Sequence, residues 1–170
     1  MKYFAYGSNM SIKRLTERTP SVQRIGLFML PDHQLKFHKA AADGSGKCDI
    51  YLTNNVNDII YGALYEIDVS EKHVLDKIEG LGSGYEEKEV IVANENGDTY
   101  SALTYYATDI DNTLPPYSWY LNHVVTGARE INVPIDYLNN IKQTESIADP
   151  DPQRHSIEIA MYNQNNKDKS

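Results

Sequence analysis

Two features of the 170-residue chain have residue types and spacing that can do chemistry: the run Tyr6-Gly7-Ser8-Asn9 and, some seventy residues later, the carboxylate of Glu79. The first lies between a short aromatic strand, Tyr3-Phe4-Ala5-Tyr6, and a helix that Ser11 is placed to open. A strand that turns sharply into a helix N-terminus leaves backbone N–H groups unpaired and pointing outward. Such a loop suits a carboxylate or a phosphate without any Lys or Arg. Gly7 lets the backbone come close, and Ser8 and Asn9 add short polar arms. The simpler alternative is an ordinary strand-to-helix connection with Ser11 as its N-cap.

Glu79 falls in the last turn of a helix that Ser70 opens and Gly80 ends, bordering the apolar stripe of Val74, Leu75 and Ile78. A carboxylate there meets the negative end of the helix dipole, a mismatch of roughly 0.3–1 kcal/mol where exposed. Burial beside the stripe acts in the same direction, so both effects raise its pKa. A raised carboxylate pKa suits a general base that takes and returns a proton near neutral pH. On position alone, a solvated Glu at a helix end is the commoner case. Glu86, Glu87 and Glu89, with Lys88 among them, read as a solvent-facing strand edge. Gly80-Leu81-Gly82-Ser83-Gly84 has the composition of a phosphate loop, but it follows a helix and precedes a strand, which presents the wrong helix end.

Composition narrows the chemistry. Cys48 is the single cysteine, so no internal disulfide forms, and a small buried side chain is the simpler assignment than a nucleophile. The five histidines show no metal-ligand spacing, so neither a metal nor any other cofactor is expected. A net charge of −8 with no basic cluster argues against nucleic acid. Apolar stretches are strand-sized and interrupted by charge, and the N-terminus enters a strand without signal-peptide features. The expectation is a cytoplasmic protein with no membrane span. Thirteen Tyr against three Phe allow a pocket edged with phenols, although most of these tyrosines read as plain strand residues.

The elements that must position these groups alternate between strand and helix. Strands are expected at 22–30, 34–39, 50–53, 59–67, 85–93 and 99–107, with 41–47 as a flexible loop and Asn96-Gly97 as the strongest hairpin signal. A helix follows Pro115-Pro116 through Tyr120, Leu121, Val124, Val125 and Ala128, and another begins at Pro134. Ile157, Ile159 and Met161, spaced by two, could make one late strand. The pattern is α+β, in one domain over 1–162, with the polar residues 163–170 expected to be a disordered tail.

Taken together, Tyr3 to Asn9, then Leu75-Asp76-Lys77-Ile78-Glu79-Gly80 with Ser83-Gly84-Tyr85, resemble the gamma-glutamylcyclotransferase family. Pro115-Pro116, Gly127-Ala128-Arg129-Glu130 and Val133-Pro134-Ile135-Asp136-Tyr137 look like the C-terminal helices of the same enzymes. The resemblance implies a small, mixed, mainly antiparallel β-barrel with flanking helices, in which the loop and the glutamate face one another across a cavity. It implies conversion of a γ-glutamyl amino acid, or a related γ-glutamyl compound, to 5-oxoproline and a free amine. Glu79 matches the family's catalytic residue. Tyr6, Gly7, Ser8 and Asn9 match its substrate cradle, and Tyr85, Tyr105 and Tyr120 fall where it places pocket tyrosines. The partner implied is a small γ-glutamyl substrate, with a homodimer left open. Three alternatives stay open: a non-catalytic relative that binds a small carboxylate, a structural or interaction protein with an incidental pocket, and a cyclotransferase acting on γ-glutamylamines or a secondary metabolite.

Overall fold

The computed structural model describes residues 1–162. The expected tail, 163–170, lies outside them. Five strands close into a barrel in the order β1 (Lys2–Ala5), β5 (Ile59–Glu66), β2 (Gln23–Pro31), β6 (Tyr85–Ala93) and β7 (Thr99–Ala107). All neighbours are antiparallel except β1 and β7, which meet in parallel at Tyr3 and Leu103. The mixed, mainly antiparallel barrel and its flanking helices therefore stand as expected. β3 (His33–Ala40) and β4 (Gly46–Leu52) form a separate two-stranded sheet. Strand β4 begins within the stretch expected to be a loop, so the connection is only the turn at 41–45.

Strand β5 is covered on both faces over most of its length. Along β5, Ile60, Ala63, Leu64 and Tyr65 are buried while the two ends, Ile59 and Glu66, are exposed. Phe4 of β1 pairs with Leu64 of β5, and both are fully buried. β6 and β7 make the expected hairpin. Gly97 takes the left-handed conformation at φ 86°, and the Asn94 side chain accepts the N–H groups of Asn96 and Asp98. Glu86, Glu87 and Glu89 are exposed as expected, but β6 has β2 and β7 on its two sides in the closed barrel and so is not an edge strand.

The helices lie outside the barrel: α1 (Ile12–Thr16), α2 (Lys72–Glu79), α3 (Ser118–Glu130), α4 (Ile135–Lys142) and α5 (Pro152–Ala160). α2 starts two residues later than expected. Asp68 caps a short 3-10 turn, Val69–Glu71, ahead of it, and Gly80 ends it at φ 75° as the sequence implies.

The late strand is overturned, because α5 occupies those residues. The Asp151 carboxylate accepts the N–H groups of Gln153 and Arg154, and Pro152 sits in the first turn. This cap and proline outweigh the spacing-two pattern, in which Ile157 is in fact 64% exposed. Glu158 then reaches inward to Arg14 Nη1 at 2.7 Å and to His123 Nε2 at 2.7 Å, fastening α5 to α1 and α3. Among the described residues no helix is long and apolar enough to cross a membrane.

Candidate active site

The loop from Tyr6 to Asn9 is held from three sides. Residues Ser8–Met10 form a single 3-10 turn, closed by the Met10 N–H donating to Gly7 O at 3.0 Å. The Tyr65 hydroxyl donates to Met10 O, and α3 crosses directly behind. Gly127 makes that crossing possible, since a Cβ there would lie 2.5 Å from both Met10 Cβ and Ser11 N. Ser11 does not cap α1 with its side chain. Its hydroxyl donates to Glu130 Oε1, and Glu130 Oε2 accepts the Ile12 N–H at 2.9 Å, so α3 supplies the cap. With α1 only five residues long, the helix dipole expected to favour an anion is small. The N–H groups of Gly7, Ser8 and Asn9 themselves remain, with no protein acceptor among the described residues.

Gly7 is pressed against β4, where a Cβ would meet Cys48 Cβ at 2.9 Å. The close backbone approach expected of this glycine is therefore an approach to Cys48. The cysteine is buried and its thiol is pushed up to about 12 by desolvation, which removes it as a nucleophile at neutral pH.

Glu79 ends α2 and forms one wall of a narrow cavity whose other walls are the loop, Tyr3, Cys48, Tyr85, Tyr105 and Tyr120. The cavity encloses roughly 300 Å³ of empty space and opens to solvent. One carboxylate oxygen, Oε1, accepts from the Tyr3 hydroxyl at 3.2 Å and from Asn9 Nδ2. The other, Oε2, has no hydrogen-bond partner among the described residues. Desolvation raises the pKa of Glu79, and Arg18, Tyr3, Arg14 and Asn9 counter it in that order. Glu79 remains partly exposed as a residue because its carboxylate borders the cavity.

Every site residue expected from the sequence thus lines this one cavity, but the tyrosine hydroxyls differ in what they can still do. Tyr6 donates to Tyr105 O at 2.6 Å, and Tyr85 donates to Cys48 O. Tyr105 donates to Asp76 Oδ1 at 2.6 Å, so its ring forms the wall while its hydroxyl is already committed. Replacing Tyr105 with Phe is expected to lower the unfolding free energy by about 1 kcal/mol in urea titration with KM unchanged. A raised KM at unchanged stability would return that hydroxyl to the ligand. Tyr120 is different, because its oxygen accepts the Cys48 N–H at 3.0 Å. Among the described residues its own proton has only the Cys48 sulfur, a weak acceptor, opposite it.

Tyr3 and Arg18 were not singled out from the sequence. Tyr3 reads there as one more strand aromatic, and nothing in the residues around Arg18 marks it. Alternation offered one signal, since Tyr3 and Ala5 share a face of β1 that continues into the loop.

The same architecture occurs in known proteins. A solved structure of a gamma-glutamyl cyclotransferase superposes with a TM-score of 0.83 at 26% identity, over 94% of this chain and 98% of that one. A model of the AIG2-like family matches residues 59–141, which include α2 and Glu79. Fold and site together define a protein of the gamma-glutamyl cyclotransferase fold class. The human gamma-glutamylcyclotransferase is 30% identical over 149 residues, covering 84% of this chain and 78% of the relative, and the bovine enzyme matches to the same extent. The chain belongs to the gamma-glutamylcyclotransferase family, a family of enzymes, and these relatives support a cyclotransferase function.

Proposed function

We propose that this protein converts a γ-glutamyl amino acid, or a closely related γ-glutamyl compound, into 5-oxoproline and a free amine, with Glu79 as the proton carrier. The observation that carries the proposal is the pairing, in one small cavity, of a carboxylate with one oxygen, and a loop with three N–H groups, that have no partner among the described residues.

Such a substrate brings its own nucleophile. Its α-nitrogen reaches its γ-carbonyl carbon through a five-membered ring, so the enzyme needs no Ser or Cys nucleophile. Folding the glutamyl chain into the attacking conformer supplies much of the rate. In the proposed sequence, Glu79 Oε2 takes a proton from the α-ammonium, and the amine attacks the γ-carbonyl carbon to form the ring C–N bond. The carbonyl electrons move to oxygen as an oxyanion, then return as the C–N bond to the leaving nitrogen breaks. Over the reaction the α-nitrogen loses two protons and the leaving nitrogen gains two. Glu79 ferries one from the first to the second, and solvent exchanges the other. The loop N–H groups hold the substrate's α-carboxylate, and the Tyr120 hydroxyl proton supports the oxyanion.

Incubation with a panel of γ-glutamyl amino acids and γ-glutamylamines, followed by mass spectrometry for 5-oxoproline, tests the proposal. Release from at least one substrate is expected. Binding without release across the panel would overturn the catalytic assignment in favour of a carboxylate-binding role. If Tyr120 acts as assigned, Tyr120→Phe lowers kcat/KM by about 1–3 kcal/mol of transition-state binding. Wild-type kinetics in that variant would remove the hydroxyl from the mechanism.

A pH profile gives a second check. A base with a raised pKa loses function as pH falls through that raised value. The acid limb of kcat/KM is therefore expected above the ordinary glutamate range of about 4.3. An acid limb at or below that range would contradict the assignment of Glu79.

A further inference from the structure

A proton carrier must give its proton back, and the groups around Glu79 bear on whether it does. Asn9 Nδ2 donates to Glu79 Oε1 and lies 3.4 Å from the Tyr3 hydroxyl oxygen, while Asn9 Oδ1 accepts from Arg18 Nη1 at 3.0 Å. An asparagine amide has a donor end and an acceptor end, and its orientation is set by its partners. Against an ionised Glu79 the donor end is favoured. Against a protonated Glu79 the reverse orientation is equally good, because Oδ1 can then accept the acid's O–H.

We propose that Arg18 is the positioning residue that forbids this reversal: a guanidinium has donors and no acceptor, so it admits only Oδ1 on its side and keeps the Asn9 N–H facing Glu79 throughout the proton cycle. The inference rests on Glu79 as the proton carrier, though its main readout does not need turnover. With the amide locked, Asn9 Nδ2 still donates to Oε1 but offers no acceptor to a proton there, so the proton stays on Oε2, where it can be passed on. Without Arg18, the amide can turn so that Oδ1 accepts an O–H on Oε1, drawing the proton to the oxygen that faces away from its transfer route.

The charges around the carboxylate act in the same direction. Arg14 and Arg18 of α1 and the turn after it are the cations that favour ionised Glu79, and Lys39 of β3 interacts with it electrostatically as well. Tyr3, Tyr6, Tyr85, Tyr105 and Tyr120 face it from the barrel and α3, all with pKa values raised by burial, so they stay neutral. Cys48 does the same from β4. Removing Arg18 therefore raises the Glu79 pKa through both lost charge and amide reversal.

The test follows the Glu79 carboxyl directly, as the pH-dependent infrared carbonyl band that is missing from Glu79→Gln, in wild type, Arg18→Met and Arg18→Lys. Arg18→Met is expected to move that titration upward, to shift the acid limb of the pH profile with it, and to lower kcat about tenfold at neutral pH. Arg18→Lys, which keeps a charged donor without an acceptor, is expected to restore both towards wild type. An unchanged titration in folded Arg18→Met overturns the proposal. So does a variant that melts earlier while its titration and pH profile stay as in wild type, since Arg18 would then be structural. Failure of the enzymatic reading appears separately, as absence of 5-oxoproline from the wild-type protein.

Discussion

Glu79→Gln is expected to lower kcat roughly 10²–10⁴-fold while the protein stays folded. Gln keeps the length and packing of the side chain, and its amide oxygen can still accept from Tyr3 and Asn9. It cannot take the ammonium proton. Stability should move the other way. The native pKa of Glu79 is raised, so the native state binds the proton more readily than the unfolded chain does, and stability falls as pH rises from the unfolded value through the raised one. Above that window, at neutral pH, the ionised carboxylate is a net liability that the neutral amide relieves. The Gln variant should melt at or above the wild-type temperature at pH 7, and the difference should vanish in acid, below both pKa values. A folded Gln variant with near-normal turnover would refute the proton-carrier role. A variant that fails to fold would show that Glu79 is structural.

Gly127→Ala should both destabilise the protein and slow it. In an exposed helix interior, Ala in place of Gly is stabilising by roughly 1 kcal/mol. Here the added Cβ would lie 2.5 Å from Ser11 N and from Met10 Cβ, and 2.7 Å from Met10 C. These neighbours are mostly backbone, held by the Tyr65 hydroxyl and by Glu130, so they cannot swing aside as a long side chain would. Overpacking of this kind costs about 1–3 kcal/mol, which outweighs the gain in propensity. Relief requires α3 and the loop to part, and a displacement of about 1 Å in the cradle can cost on the order of 10² in rate. Thermal melts and steady-state kinetics on the purified variant measure both effects. A variant as stable and as active as wild type would show that the α3 crossing does not position the loop.

Local physics made much of this legible in the sequence. Gly80 ends α2 because a left-handed residue is needed there, and Glu79 is placed by that stop. Asn96-Gly97 closes the β6–β7 hairpin for the same conformational reason, although the turn is longer than two residues. Where two local signals conflicted, the reading failed. At α5 the spacing of Ile157 and Ile159 pointed to a strand, whereas Asp151 and Pro152 nucleate a helix. At α1 the serine in the cap position yields to a carboxylate from Glu130, more than a hundred residues away.

By itself the sequence determined the order of elements as far as α4, the Gly and Asn turns, the absence of metal-ligand spacing, and the placement of a carboxylate at a helix end and a polar loop after a strand. These follow from φ/ψ preferences, caps and side-chain period, all of which act over a few residues. The tertiary structure alone decided that Glu79 and Asn9 meet, that Tyr3 and Arg18 join them, and that Tyr105 spends its hydroxyl on Asp76 while the Tyr120 proton faces, among the described residues, only the weakly accepting Cys48 sulfur. The physical reason is that a hydrogen bond's direction depends on which donor and acceptor are opposite. In this site those partners are brought together by barrel closure, from strands and helices far apart in the chain.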